Sequence, residues 1–120
     1  SSENISKIIT TIDHKNLLGI ILSCVSPENY EKNLNEIKNL GIPFGFKLNG
    51  FVTTKPTSGY TNTFNKSKTG NPNEFLGHRE DLMPEKMALI AKKFKDEGAT
   101  ILGGCCETRP AHIKEMAKLK

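Results

Sequence analysis

Nowhere in the 120 residues does an apolar run approach the ~20 residues that a membrane-crossing helix needs, which excludes a helical span. The opening Ser1-Ser2-Glu3-Asn4 has neither the basic start nor the apolar core of a secretory signal, so the expected compartment is the cytoplasm. Cysteine is scarce. There are three, an odd number with two of them adjacent, which argues against a disulfide scaffold and turns attention to metal or redox chemistry. Charge of one sign is not concentrated either: the formal net charge is +4, but the lysines are scattered, with small groups at Lys92, Lys93 and Lys95 and at Lys114, Lys118 and Lys120 that read as solvated helix faces. No aromatic-interleaved basic patch accompanies them, so neither a nucleic-acid nor a membrane partner is expected.

What the chain does contain suits a single globular unit, with 36% apolar and 25% charged residues. Ile5, Ile8, Ile9 and Ile12 recur at helical spacing and predict a short amphipathic helix. Leu17 to Leu22 is a continuous apolar run of the kind found in parallel strands buried on both faces. Ser26-Pro27-Glu28 then supplies a cap, a first-turn proline and an acid at the positive helix end, with Tyr30, Leu34 and Ile37 as the apolar stripe and Gly41 as the stop. Phe44 to Asn49 reads as a second strand. Residues 51 to 82 are too polar for a core element and too long for an ordinary connection, so a functional loop over the same end of the sheet is expected. Pro84-Glu85 opens a helix with Met87, Ile90, Ala91 and Phe94 inward, ending at Gly98; Ala99 to Leu102 is a third strand. Thr108-Arg109-Pro110 starts a last helix, capped by Thr108, that faces Ile113, Met116 and Ala117 inward.

Strands alternating with helices imply a parallel sheet with right-handed crossovers, either doubly wound or a piece of a barrel. In both, the chemistry lies at the strand C-termini. Cys24 follows the first strand, and Cys105-Cys106 follow the third through Gly103-Gly104. Adjacent residues of an extended strand point to opposite faces, so Cys105 and Cys106 reach one metal only if the backbone turns sharply, which Gly103-Gly104 would permit. Three thiolates on Zn²⁺ would leave a fourth position open, as catalytic zinc sites do.

Gly98 to Cys106, followed by Thr108, Pro110, His112 and Ile113, resembles the C-terminal signature of the zinc-dependent homocysteine S-methyltransferases. Cys24-Val25-Ser26-Pro27-Glu28 is similar to that family's first zinc-cysteine segment, and Asn49-Gly50 to its asparagine at the end of the intervening strand. Lys47 departs from the aromatic residue often found near that asparagine. The resemblance implies an α/β fold, part of a (β/α)8 TIM barrel: strands six to eight, with residues 1–120 as the C-terminal part of the homocysteine-binding barrel domain. It implies transfer of a methyl group to the sulfur of L-homocysteine, giving methionine. The implied metal is Zn²⁺ on Cys24, Cys105 and Cys106, with Asn49 on the substrate side and no other catalytic group. A sulfonium such as S-methylmethionine is the first-choice donor, with betaine or methylfolate as alternatives. Other homocysteine-orienting groups would lie upstream, so the 120 residues alone are expected to be inactive. Two rival readings stand beside this one: a thiol redox or metal-binding protein using Cys105-Cys106, and a non-catalytic piece that keeps the zinc motif. His14, His78 and His112 read as surface or capping residues rather than ligands.

Overall fold

The computed structural model describes residues 5–12, 14–53 and 76–120. Helix α1 (Ile5–Thr10) and a 3-10 turn (His14–Asn16) lead into strand β1 (Ile20–Val25), helix α2 (Pro27–Lys38) and strand β2 (Phe44–Leu48). Helix α3 (Pro84–Asp96), strand β3 (Ile101–Gly104) and helix α4 (Pro110–Ala117) follow. The strands lie in the order β1-β2-β3 and every pairing is parallel. This is the α/β arrangement expected, and a three-stranded parallel sheet with helices between its strands is compatible with part of a (β/α)8 barrel.

Local signals set the helix ends. The Ser26 hydroxyl accepts the Asn29 N–H at 3.3 Å, and Pro27 fills the first turn of α2. Gly41 and Gly98 take the left-handed conformations that end their segments, with φ of 69° and 108°. Tyr30, Leu34 and Ile37 of α2 and Met87, Ala91 and Phe94 of α3 pack on Phe44, Phe46 and Leu48 of β2, forming one core on the helix side of the sheet.

Four expectations need correction. The first strand starts at Ile20 rather than Leu17, and Leu18 is 91% exposed. The ladder opens only where the Ile20 N–H meets the Pro43 carbonyl at 2.9 Å. Nor is β1 buried on both faces: Ile21 and Ser23 lie on an open face, while Leu22 and Val25 meet the core. In α4 the inward stripe is His112 and Met116, whereas Ile113 and Ala117 are exposed. His112 is drawn in because its Nδ1 accepts the Arg109 N–H at 3.0 Å, which leaves Nε2 protonated to donate to the Leu82 carbonyl at 2.9 Å. It is a capping residue, as expected, but a buried one, and the N-cap is Arg109 rather than Thr108.

Tyr30 stacks edge-on against Phe46 and tilted against Phe94, with centroids 5.1 and 4.7 Å away. Its hydroxyl is buried with no hydrogen-bond partner among the described residues, and burial pushes its pKa up to about 12. An orphaned buried hydroxyl costs about 1–3 kcal/mol. Tyr30→Phe is therefore expected to hold or raise stability, by up to about 1 kcal/mol, read as an upward shift of the urea midpoint. A drop of similar size would mean that the hydroxyl has a partner.

Candidate metal centre

The three cysteines reach one point by two different backbone devices. On β1, Ser23 pairs with Lys47 and Val25 with Leu48, so Cys24 is an extra residue at a bulge. Its φ of 54° is unusual for a residue with a side chain and takes the thiol out of the alternation that a regular strand would impose. After β3 the chain turns at Cys105-Cys106-Glu107-Thr108. The Thr108 N–H and hydroxyl both donate to the Cys105 carbonyl, and Glu107 takes the left-handed position of the turn, φ 62°.

The turn thus falls one step later than Gly103-Gly104, which stay extended in β3. At Gly104 the missing side chain serves close approach instead. A Cβ on Gly104 would lie 2.3 Å from the Thr108 hydroxyl oxygen, and one on Gly103 would lie 3.4 Å from Lys47 Cγ.

The outcome is a compact trio. Cys24 Sγ lies 3.8 Å from Cys106 Sγ, Cys105 and Cys106 Sγ are 4.0 Å apart, and all three sulfurs fall within 4.8 Å of one another. Tetrahedral zinc with bonds of about 2.3 Å separates its sulfurs by about 3.8 Å, so spacing and donor chemistry both fit that ion. None of the three is in a disulfide. Burial pushes the Cys24 thiol up to about 11, helped by its contacts with the other two sulfurs. Burial also acts against ionisation of Cys105, but hydrogen bonds from Cys24 and from Cys106, together with the nearby Lys47 ammonium, outweigh it and hold its pKa below the usual thiol value.

Asn49, at the end of β2, is wholly buried. Its amide nitrogen donates to the Cys24 carbonyl at 2.7 Å and lies 3.9 Å from Cys24 Sγ, while its amide oxygen accepts the Phe51 N–H at 3.2 Å. Backbone bonds tie the rest of this edge together: Cys105 N–H to Leu48 carbonyl at 2.7 Å, Asn49 N–H to Val25 carbonyl at 2.9 Å, and Gly50 N–H to Cys106 carbonyl at 2.9 Å.

Of the long loop, residues 54–75 lie outside the described residues, but both stems rise from the cysteine end of the sheet. Phe51 bridges His78, and the Arg79 N–H donates to the Gly50 carbonyl at 2.8 Å. Two polar clusters fix the returning stem, and the sequence alone did not single them out. His78 Nδ1 lies 2.8 Å from the Glu107 carboxylate. The Arg79 guanidinium forks onto Asp81 at 2.6 and 3.0 Å and reaches Glu28 at the start of α2 at 2.8 Å. Arg79 is the main cause holding the Asp81 carboxyl below its usual range; at Glu28 partial burial acts the other way but is overcome by the hydrogen bond its carboxylate accepts from its own backbone N–H and by Arg79, so it too is lowered. The Arg79–Glu28 and His78–Glu107 partners, far apart in sequence, leave no periodic signal. Of the histidines, His78 is a partly exposed partner of Glu107 and His112 a cap, while His14 opens the 3-10 turn.

Fold and site together define a cluster of three cysteines, spaced so that it could hold a metal ion, at the C-terminal edge of a parallel α/β sheet. Residues 1–119 match the family profile described as Homocysteine S-methyltransferase, and the chain belongs to that family. Homocysteine S-methyltransferase 1 of Saccharomyces cerevisiae is 42% identical over 53 residues, covering 44% of this chain and 16% of its own length. The Zea mays protein of the same name is 33% identical over 54 residues, 45% of this chain and 15% of its own. That of Brassica oleracea var. italica is 24% identical over 119 residues, 98% of this chain and 32% of its own. The chain thus spans less than a third of the length of the relatives it matches. No solved structure matches it. Among the described residues no helix is long and apolar enough to cross a membrane.

Proposed function

We propose that this chain carries the zinc centre of an enzyme that transfers a methyl group to the sulfur of L-homocysteine, giving methionine, with a sulfonium such as S-methylmethionine as donor. The observation that carries the reading is the convergence of Cys24, Cys105 and Cys106 to within 4.8 Å in a chain of this family. Zinc, when bound, supplies ionisation of thiols at neutral pH and a fourth coordination position.

The protein's own residues do the rest. Cys24, Cys105 and Cys106 hold the metal, and the bulge and the turn keep their sulfurs together before any metal arrives. Asn49 is assigned to the substrate side: with both ends of its amide engaged, it serves homocysteine by fixing Cys24, whose carbonyl it binds. In the transfer, the homocysteine thiolate forms a bond to the methyl carbon in line with the donor's carbon–sulfur bond. That bond breaks, and the donor sulfur leaves with the electron pair as a neutral thioether. Three free thiols suit a reducing compartment, and the cytoplasm is the proposed location.

The test is methionine formation from homocysteine by the full-length protein, with S-methylmethionine, betaine and methylfolate supplied in turn and zinc content measured in parallel. Turnover with the sulfonium at roughly 1 per second or more is expected, with one zinc per chain. A protein holding one zinc but forming no methionine from any of the three donors would instead support the metal-binding reading.

A further inference from the structure

Among the residues of β1, β2 and β3, Lys47 alone carries a charge. It lies in one layer with its register partners Ser23 and Gly103, on the sheet face turned away from the helices. Its neighbours Phe46 and Leu48 point the other way, into the core. The lysine stem runs alongside Gly103, where a Cβ would meet Lys47 Cγ at 3.4 Å, an ordinary contact. Two residues on from Gly103 stands Cys105, and next to Ser23 stands Cys24, so the layer of Lys47 borders two of the three cysteines. Among the described residues no carboxylate pairs with Lys47.

In a closed barrel this sheet face is the inside, where a lone ammonium is costly unless an anion faces it. The anion at hand is the metal centre. Three thiolates around a divalent ion carry one net negative charge, and a substrate thiolate in the fourth position makes two. Resting on the zinc reading above, we propose that Lys47 is the charge-balancing residue of this site, its ammonium offsetting the negative charge that the protein thiolates and then the substrate thiolate build up. Lys47 is thus a positioning residue: it acts through the charge of the three-cysteine cluster and need not touch the transferred methyl group.

The experiment compares the full-length wild type with Lys47→Met and Lys47→Arg by chelator competition for zinc at low and high salt, with homocysteine KM and kcat as a second readout. Loss of one neighbouring unit charge, at an effective dielectric constant between those of a protein surface and bulk water, predicts a roughly three- to thirty-fold weaker zinc affinity in Lys47→Met. That gap should narrow as salt screens the interaction. KM should rise more than kcat falls, and Lys47→Arg should stay within about twofold of wild type. Should Lys47→Met fail to fold, Lys47→Gln takes its place with the same expectation. Wild-type zinc affinity in a folded Lys47→Met or Lys47→Gln overturns the proposal, as does an equal loss in Lys47→Arg, which would mark a demand for shape rather than charge. A wild type that takes up no zinc overturns the zinc reading and this proposal with it, whereas wild-type zinc uptake that Lys47 does not influence removes this proposal alone.

Discussion

Serine in place of Cys24, Cys105 or Cys106, one at a time in the full-length protein, is expected to remove most bound zinc and to abolish methionine formation. A serine hydroxyl is nearly isosteric with the thiol but is a harder donor that stays protonated at neutral pH, so each change takes one of three anionic sulfurs from the ion. Zinc held by four protein ligands contributes about 10–16 kcal/mol, so one ligand is worth roughly 3 kcal/mol, or at least a hundredfold in affinity. Cys24→Ser is the most telling of the three. Cys24 stands on β1, 82 residues before Cys106, and reaches it only because the sheet places β1 and β3 on either side of β2. Zinc analysis and activity should fall together. Full zinc content in Cys24→Ser would leave the Cys105-Cys106 pair as the metal site and remove Cys24 from it.

Much of this site was legible in the sequence, because its main determinants are local. Ser26-Pro27-Glu28 writes the start of α2 into three consecutive residues, and the stripe Tyr30, Leu34, Ile37 fixes the face of α2 that meets the sheet. Once strand–helix alternation implies parallel strands, Cys24 and Cys105-Cys106 must share one edge. The details that escaped depend on contacts across the fold. The Leu17–Leu22 run reads as a strand on hydrophobicity alone, yet the strand begins where Pro43 offers its carbonyl, and Pro43 is distant in sequence. A missing third dimension also hid why Gly104 is a glycine: flexibility is the local guess, while Thr108 takes the space its side chain would fill. Glu107 gives no signal at all, since the left-handed position it occupies is one where sequence leads one to expect glycine or asparagine. His112 misled in the other direction, because a histidine in a helix start looks exposed until the Leu82 carbonyl is seen above it.

Asn49→Ala should weaken zinc binding by about ten- to a hundredfold without touching a sulfur, the range seen when groups that orient metal ligands are removed. Cys24 holds a left-handed backbone that costs a side-chain-bearing residue about 1–2 kcal/mol, so something must hold it there. Asn49 is the group placed to do so, with its amide nitrogen 2.7 Å from the Cys24 carbonyl and its oxygen anchored by the Phe51 N–H. Truncation leaves that carbonyl and that N–H without their buried partner and opens a hole in a fully buried position, for a combined loss of stability of about 2–4 kcal/mol. Relaxed toward a regular strand, Cys24 would turn its thiol away from Cys106, and the trio would have to be rebuilt each time zinc binds. Packing and hydrogen bonding are separated by Asn49→Leu, which fills nearly the same volume and offers no polar atom. If the amide is what fixes Cys24, the leucine variant should lose zinc affinity as far as the alanine variant does while recovering part of the stability, measured by chelator competition and urea unfolding on the same samples. Wild-type zinc affinity in Asn49→Leu would show instead that volume alone shapes this corner of the site and that the bulge at Cys24 holds itself.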